Sequence, residues 1–247
     1  MINPKINFLN IPIDAITMQE TLNRAEDTIK NNNQIHHTVV NAGKIVMMQT
    51  DKVLAKSVIQ ADIINADGQA IVWASRFLGN SIPERVAGID LMTNLVKLSH
   101  KMEFKCYFLG AKEGIVKKVI NKFSEIYSPN IIAGFHHGYF DKSNEKKIAH
   151  LISESGANIL FVAMTSPKKE IFLYDNREQL KNVNFIMGVG GSFDVIAGKV
   201  KRSPLWMQNM GLEWLFRLFQ EPRRMFKRYL FGNIKFIILV LREKFNL

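Results

Sequence analysis

Six short runs of β-branched and aromatic residues punctuate the first two hundred positions, and they restrict the fold more than any other feature. They are His37–Ala42, Asp62–Ala66, Lys105–Leu109, Ile131–Phe135, Ile159–Met164 and Asn184–Val189. Several are apolar on both faces instead of alternating, which is the pattern of strands buried inside a parallel sheet. Helical patterns lie between them. Over Glu113–Tyr127, Ile115, Val116, Val119, Ile120, Phe123 and Ile126 form one stripe, with Lys117, Lys118, Lys122 and Glu125 mostly opposite. Asn144–Ser155 repeats the scheme with Ile148, Leu151 and Ile152. Parallel strands need crossover connections, so the alternation predicts an open α/β sheet. A chain of 247 residues, 47% hydrophobic and 22% charged, is long and apolar enough to bury a full core. Its single cysteine, Cys106, excludes a disulfide framework.

The pattern changes after Ala197. Residues 205–231 read as helical and aromatic, with a break at Pro222, which suits the first turn of a helix. One helix is therefore expected to end near Gln220 and another to start at Pro222. The tail Ile234–Phe245 is strongly apolar, with Lys235, Arg242 and Lys244 at its flanks. The expected organisation is a catalytic core over residues 1–197 and a basic, aromatic helical appendage over 198–247. Charge follows the same division: net charge is +11, and Lys199 to Lys244 holds eleven Lys or Arg against Glu213, Glu221 and Glu243. Local basicity beside apolar side chains suits an anionic surface or a phosphorylated substrate. The N-terminal residues lack a basic stretch followed by an apolar one, so no signal peptide is expected. The longest purely aliphatic or aromatic run, Phe236–Leu241, falls far short of the roughly 20 residues of a spanning helix.

Ligands of open α/β sheets bind beyond the carboxyl ends of the strands. Four such ends are distinctive here: Asn41-Ala42-Gly43, Asn65 to Gln69, Leu109-Gly110-Ala111, and Gly188 to Asp194. The two glycine turns suit either backbone contact with a phosphate or an ordinary tight turn. Asp67 suits either a carboxylate made more basic by burial or a helix N-cap. Asn41 suits a turn or a substrate hydrogen bond. No Asp-x-Asp pair occurs, and the adjacent histidine pairs 36–37 and 136–137 place their side chains apart on a strand, so a metal site is not expected. GxSxG and Walker A motifs are absent.

Several segments then occur in a particular order: Val40-Asn41-Ala42; Ala66-Asp67-Gly68; Glu84 to Leu91 (ERVAGIDL); Phe108 to Ala111; Thr165 to Glu170 (TSPKKE); Gly188 to Asp194 (GVGGSFD); Arg202-Ser203-Pro204; and Gly211 to Leu218 with Glu221 to Arg224 (GLEWLFRL, EPRR). Together they resemble the WecG/TagA/CpsF glycosyltransferases, glycosyltransferase family 26, over most of the chain.

The resemblance implies a Rossmann-like core with a C-terminal appendage that meets the inner face of the bacterial cell membrane. It implies an inverting, metal-independent transferase without a cofactor. Such an enzyme moves an N-acetylmannosamine-type or related sugar from a UDP donor to a polyprenyl-diphosphate-linked sugar, in teichoic acid or other cell-surface polysaccharide synthesis. Asp67 matches the family's proposed general base, and Asn41 its asparagine at the first strand end. Arg217, Arg224 and Arg228 match the appendage arginines thought to hold the lipid diphosphate. Backbone near Gly110, Gly190, Gly191 and Ser192, with Lys169, is expected to stabilise the departing UDP. Two positions depart from the family: Val39 stands where Thr is common, and Lys169 where a glutamine is proposed to contact substrate. Arg217 also lies four residues from Glu213 and Glu221 and suits a simple bridge to them. By the same helical spacing, Trp214 and Leu218 read as core residues in preference to membrane contacts. A nucleic-acid or phospholipid-binding module with a basic tail is the competing reading. It leaves the ordered core motifs unexplained, so no nucleic-acid partner is expected. A nucleotide-dependent oxidoreductase is disfavoured by the incomplete glycine fingerprint.

Overall fold

A computed structural model of the chain describes residues 4–246, apart from the side chains at 224, 225 and 227–230. The elements in chain order are β1 (Lys5–Phe8), β2 (Ile11–Asp14), α1 (Met18–Lys30), β3 (Ile35–Val40), α2 (Ala42–Met48), α3 (Lys52–Ile59), β4 (Ile63–Ala66), α4 (Gln69–Phe77), α5 (Gly88–Met102), β5 (Cys106–Gly110), α6 (Glu113–Ile126), β6 (Ile132–His136), α7 (Glu145–Ser153), β7 (Ile159–Ala163), α8 (Lys168–Asp175), β8 (Phe185–Gly188), α9 (Ser192–Ile196), α10 (Leu205–Asn209), α11 (Glu213–Gln220) and α12 (Pro222–Phe245). Strands β3 to β8 form one sheet in the order β4-β3-β8-β7-β5-β6, with every neighbouring pair parallel. These are the six strands expected from the sequence, with ends shifted by one or two residues.

Successive strand residues point to opposite faces, and the sheet uses both. On one face Phe108, Phe161 and Phe185 meet α5, α6 and α9. Phe108 sits within 5.5–5.9 Å, centroid to centroid, of Phe123, Phe161 and Phe193. On the other face Leu109, Leu160, Val162 and Ile186 meet Ile148 and Ile152 of α7 and Phe172 of α8. This double burial is why the strands lack alternation.

A hairpin of β1 and β2 covers the β4 edge, and sequence patterning does not anticipate it. Its turn places both Leu9 (φ 51°) and Asn10 (φ 62°) in the left-handed region without a glycine. The buried Asp14 carboxylate accepts a 2.7 Å hydrogen bond from the Ile64 backbone N–H, which satisfies an edge donor of β4. Helix α1, also unanticipated, starts with a capping box between Thr17 and Glu20.

The C-terminal residues return to the core. Helices α11 and α12 meet at Glu221, with Pro222 in the first turn of α12, as the proline requires. Helix α12 packs across α2 and buries Phe236 and Val240 among hairpin and α2 residues, with Phe236 6.3 Å from the Phe8 ring. Arg202 pairs with Asp90 at 2.6 Å, tying the segment before α10 to α5. Among the described residues no helix is long and apolar enough to cross a membrane.

His36 and His37 point to opposite faces of β3, as their adjacency demands. Neither ring nitrogen of His36 has a partner among the described residues, whereas His37 Nε2 lies 2.9 Å from Asn65 Oδ1. Burial holds His36 down at about 3 and His37 at about 4, against an ordinary 6.5. The unfolded chain therefore binds protons that the folded chain refuses, and stability falls as pH drops below 6.5. His36→Leu should cut the slope of unfolding free energy between pH 6 and 4 by about 1.4 kcal/mol per pH unit, with little change at pH 7. Urea denaturation across that range reads both quantities.

Candidate active site at the carboxyl edge of the sheet

A cavity of about 590 Å³ opens beyond the carboxyl ends of β3 and β4, within the usual range for small-ligand sites. Its floor is polar: Asn41 follows β3, Asp67 follows β4, and Arg85 lies in the loop before α5. Glu213 and Arg217 of α11 form one wall, and side chains of α4 and α12 form the mouth.

Asp67 continues the strand ladder, its backbone N–H donating to the Val40 carbonyl at 2.7 Å. Gly68, with φ 156°, is the N-cap of α4, and that cap uses no side chain. The capping role open to Asp67 in the sequence is thus not the one it takes. Its side chain keeps 29% of its surface exposed at the cavity floor. Burial raises the basicity of this carboxylate above the ordinary 3.8; Arg85 pulls it back, Glu213 raises it, and Arg217 and the Gly88 backbone N–H lower it.

The neighbouring charges are ordered by one acid. Glu213 accepts from Arg85 at 2.8 Å and from Arg217, one helical turn on, at 3.3 Å. Arg85 in turn lies 3.8 Å from Asp67. Arg217 thus forms the expected bridge to Glu213 and also lines the cavity. Two guanidinium groups, one from the core and one from the C-terminal helices, are held beside a basic carboxylate by a shared anion.

Asn41 serves two ends at once. Its side chain caps α2, accepting from the Lys44 backbone N–H at 3.0 Å, and it lines the cavity. Below it lies a buried charge cluster. Lys44 Nζ reaches Glu170 Oε1 at 2.6 Å and the Val39 carbonyl at 2.5 Å. Lys169 reaches the same carboxylate oxygen at 2.5 Å and also donates to Ser166 Oγ. Burial alone would raise Glu170, but Lys44 and Lys169 win and hold it near 2. Lys169 is buried and does not line the cavity; its ammonium meets Glu170 and Ser166, and its side chain runs beneath Gly188 and Gly190.

The glycine turns fall farther along the same edge, following the strand order. Gly190, Gly191 and Ser192 follow β8, next to β3, and among the described residues beyond its chain neighbours nothing lies within 4 Å of where a Gly191 side chain would start. Gly110 is the last residue of β5, and a Cβ there would stand 2.5 Å from the Ala163 carbonyl oxygen, so close strand approach already requires the glycine. None of these four residues lines the cavity. Arg224 and Arg228 lie on α12, with side chains outside the described residues. Trp214, expected in the core, is exposed by 37% and lines the cavity, while Leu218 is half-buried. Among the described residues no three His, Cys, Asp or Glu side chains gather as a metal site.

Arg85 and Glu213 are the residues that sequence reasoning missed. Both stand inside the ordered segments, but a salt bridge spanning 128 positions has no local periodicity to reveal it.

The family profile described as Glycosyl transferase WecG/TagA/CpsF family matches residues 6–247. Over 187 residues the chain is 36% identical to the N-acetylglucosaminyldiphosphoundecaprenol N-acetyl-beta-D-mannosaminyltransferase of Bacillus subtilis (strain 168). That match covers 75% of this chain and 71% of the relative.

Glu170→Gln should cost about 3–5 kcal/mol of unfolding free energy, because it leaves two buried ammonium groups without their counter-charge. Glu170→Gln with Lys44→Met should recover part of that loss. Denaturant titration of the three proteins measures both effects.

Proposed function

Since the chain belongs to the WecG/TagA/CpsF glycosyl transferase family, we propose that it moves an N-acetylmannosamine-type or related sugar from a UDP donor to a polyprenyl-diphosphate-linked sugar. The relative's activity, transfer of N-acetylmannosamine to N-acetylglucosaminyl-diphospho-undecaprenol, supports that sugar and acceptor, and the reaction class implies a nucleotide-sugar donor. The observation that carries the reading is the basic Asp67 carboxylate beside Arg85 and Arg217, on the floor of an apolar-mouthed cavity.

Inverting transfer is a single displacement. The acceptor hydroxyl oxygen bonds to the anomeric carbon as the bond from that carbon to the UDP oxygen breaks, and the hydroxyl proton passes to Asp67. A sugar hydroxyl is a weak nucleophile, and a positioned base accelerates such a step by roughly 10²–10⁴-fold. Asn41, fixed by its cap, orients a sugar hydroxyl. Arg217, with Arg224 and Arg228 from α12, holds the acceptor diphosphate, which planar guanidinium groups suit. The donor diphosphate lies along the open backbone at Gly190, Gly191 and Ser192, with Gly110 two strands farther along the same edge. Lys169 acts at one remove, by holding Glu170.

The 198–247 segment is the acceptor side of the enzyme in this reading. Leu205, Trp206, Phe219, Phe226 and Phe231 are exposed on α10, α11 and α12, in the most basic part of the chain. Aromatic and cationic side chains together suit the headgroup layer of an anionic membrane, here the inner face of the cell membrane, where each basic residue contributes about 1 kcal/mol.

The test is a panel of UDP-sugars with a short-chain polyprenyl-diphosphate sugar, in EDTA, with product read by mass. A product gaining one N-acetylhexosamine unit, formed without added metal, is expected. Strict dependence on added Mg²⁺ or Mn²⁺ would overturn the metal-free part, and no product from any donor would overturn the assignment. Asp67→Asn should lower kcat at least about 100-fold with UDP affinity nearly intact. Activity within about threefold of wild type removes Asp67 from the base role.

A further inference from the structure

Resting on that function, we propose that the mouth of the cavity, between α4 and α12, is a binding groove for the first isoprene units of the acceptor's lipid tail. The tail then leaves the bilayer before its diphosphate reaches the Asp67 end.

The two helices supply matched apolar ladders. On α4, Gln69, Trp73 and Phe77 follow one another at four-residue spacing and all line the cavity, with Trp73 and Phe77 about half exposed. That face runs about 12 Å from the polar floor outward. On α12, Phe236, Ile237, Val240 and Leu241 all line the cavity, Phe236 and Val240 buried against the core and Ile237 and Leu241 exposed. Helix α12 thus presents exposed apolar side chains to the cavity beside those that it buries. Lys244 stands 5.3 Å over the Phe77 ring and marks the outer end. At Gly211 a Cβ would stand 2.8 Å from Trp73 Cη2, so that glycine lets the loop before α11 seat the indole.

Polarity along the cavity identifies the occupant. The charged lining residues, Asp67, Arg85, Glu213 and Arg217, all belong to one end, and the lining contributed by Trp73, Phe77, Ile237 and Leu241 is hydrocarbon or aromatic. A nucleotide sugar has no hydrocarbon chain to lay along Ile237 and Leu241. An amphiphile with an anionic head and a chain of isoprene units matches both ends in the right order.

The groove is tested with sugar-diphosphate acceptors carrying one, two or three isoprene units, kept below their micelle concentrations and without vesicles. Wild-type KM should fall about tenfold from one unit to three, with kcat little changed. Ile237→Asp should abolish that gain, and Ile126→Asp, exposed on α6 away from the groove, should keep it. A flat wild-type series, or a full gain in Ile237→Asp, overturns the groove while leaving the transferase reading intact. A second readout needs no turnover: farnesyl diphosphate should raise the wild-type melting temperature more than inorganic diphosphate does. That extra protection without transfer to any acceptor supports the groove and sinks the functional reading; equal protection by the two ligands overturns the groove.

Discussion

Glu213 holds two arginines that would otherwise dominate the Asp67 carboxylate, and the rest of the site depends on that bridge. Asp67 sits 3.8 Å from Arg85, and a free guanidinium at such range holds a carboxylate ionised and weakly basic. Glu213 accepts from Arg85 at 2.8 Å and from Arg217 at 3.3 Å. It returns negative charge to the cluster, and desolvation then decides the balance at Asp67. The bridge is also mechanical. Arg85 belongs to the core and Glu213 to the C-terminal helices, so it fixes one part of the site against the other.

The position of α11 depends in turn on hydrophobic packing at some distance. Phe236 and Val240 anchor α12 among residues of the β1–β2 hairpin and α2. The Arg202–Asp90 pair and the two hydrogen bonds between Gln220 and the Lys201 backbone hold the connection into α10 and α11. Beneath the floor, the Lys44–Glu170–Lys169 cluster clamps the start of α2 and with it Asn41. A cluster with two cations and one buried anion contributes little net stability, but it tolerates the loss of the anion badly. Its role is to fix a position.

Much of this was legible in the sequence, for physical reasons that differ by residue. The six parallel strands showed because burial on both faces removes alternation, as at Phe108 and Leu109. The break before α12 showed because Pro222 can only begin a helix. The β1–β2 hairpin did not show: its turn uses Leu9 in a left-handed conformation that residue type does not announce. At the site, Asp67 and Asn41 stood out as polar residues at strand ends, and Arg217 through the family pattern. Arg85 and Glu213 were hidden because their meaning lies in a long-range pair. Lys169 stood out as a cation in a motif, but the burial that pairs it with Glu170 was not legible there.

The chemistry assigned to this chain rests on a carboxylate whose readiness to accept a proton is raised by burial. That readiness can be observed without substrate, by following the Asp67 side-chain ¹³C carboxyl signal against pH, identified by its loss in Asp67→Asn. A titration midpoint above the ordinary 3.8 is expected, because burial outweighs Arg85 and Arg217. A midpoint at or below 3.8 would show that the arginines prevail, and would contradict Asp67 as the base.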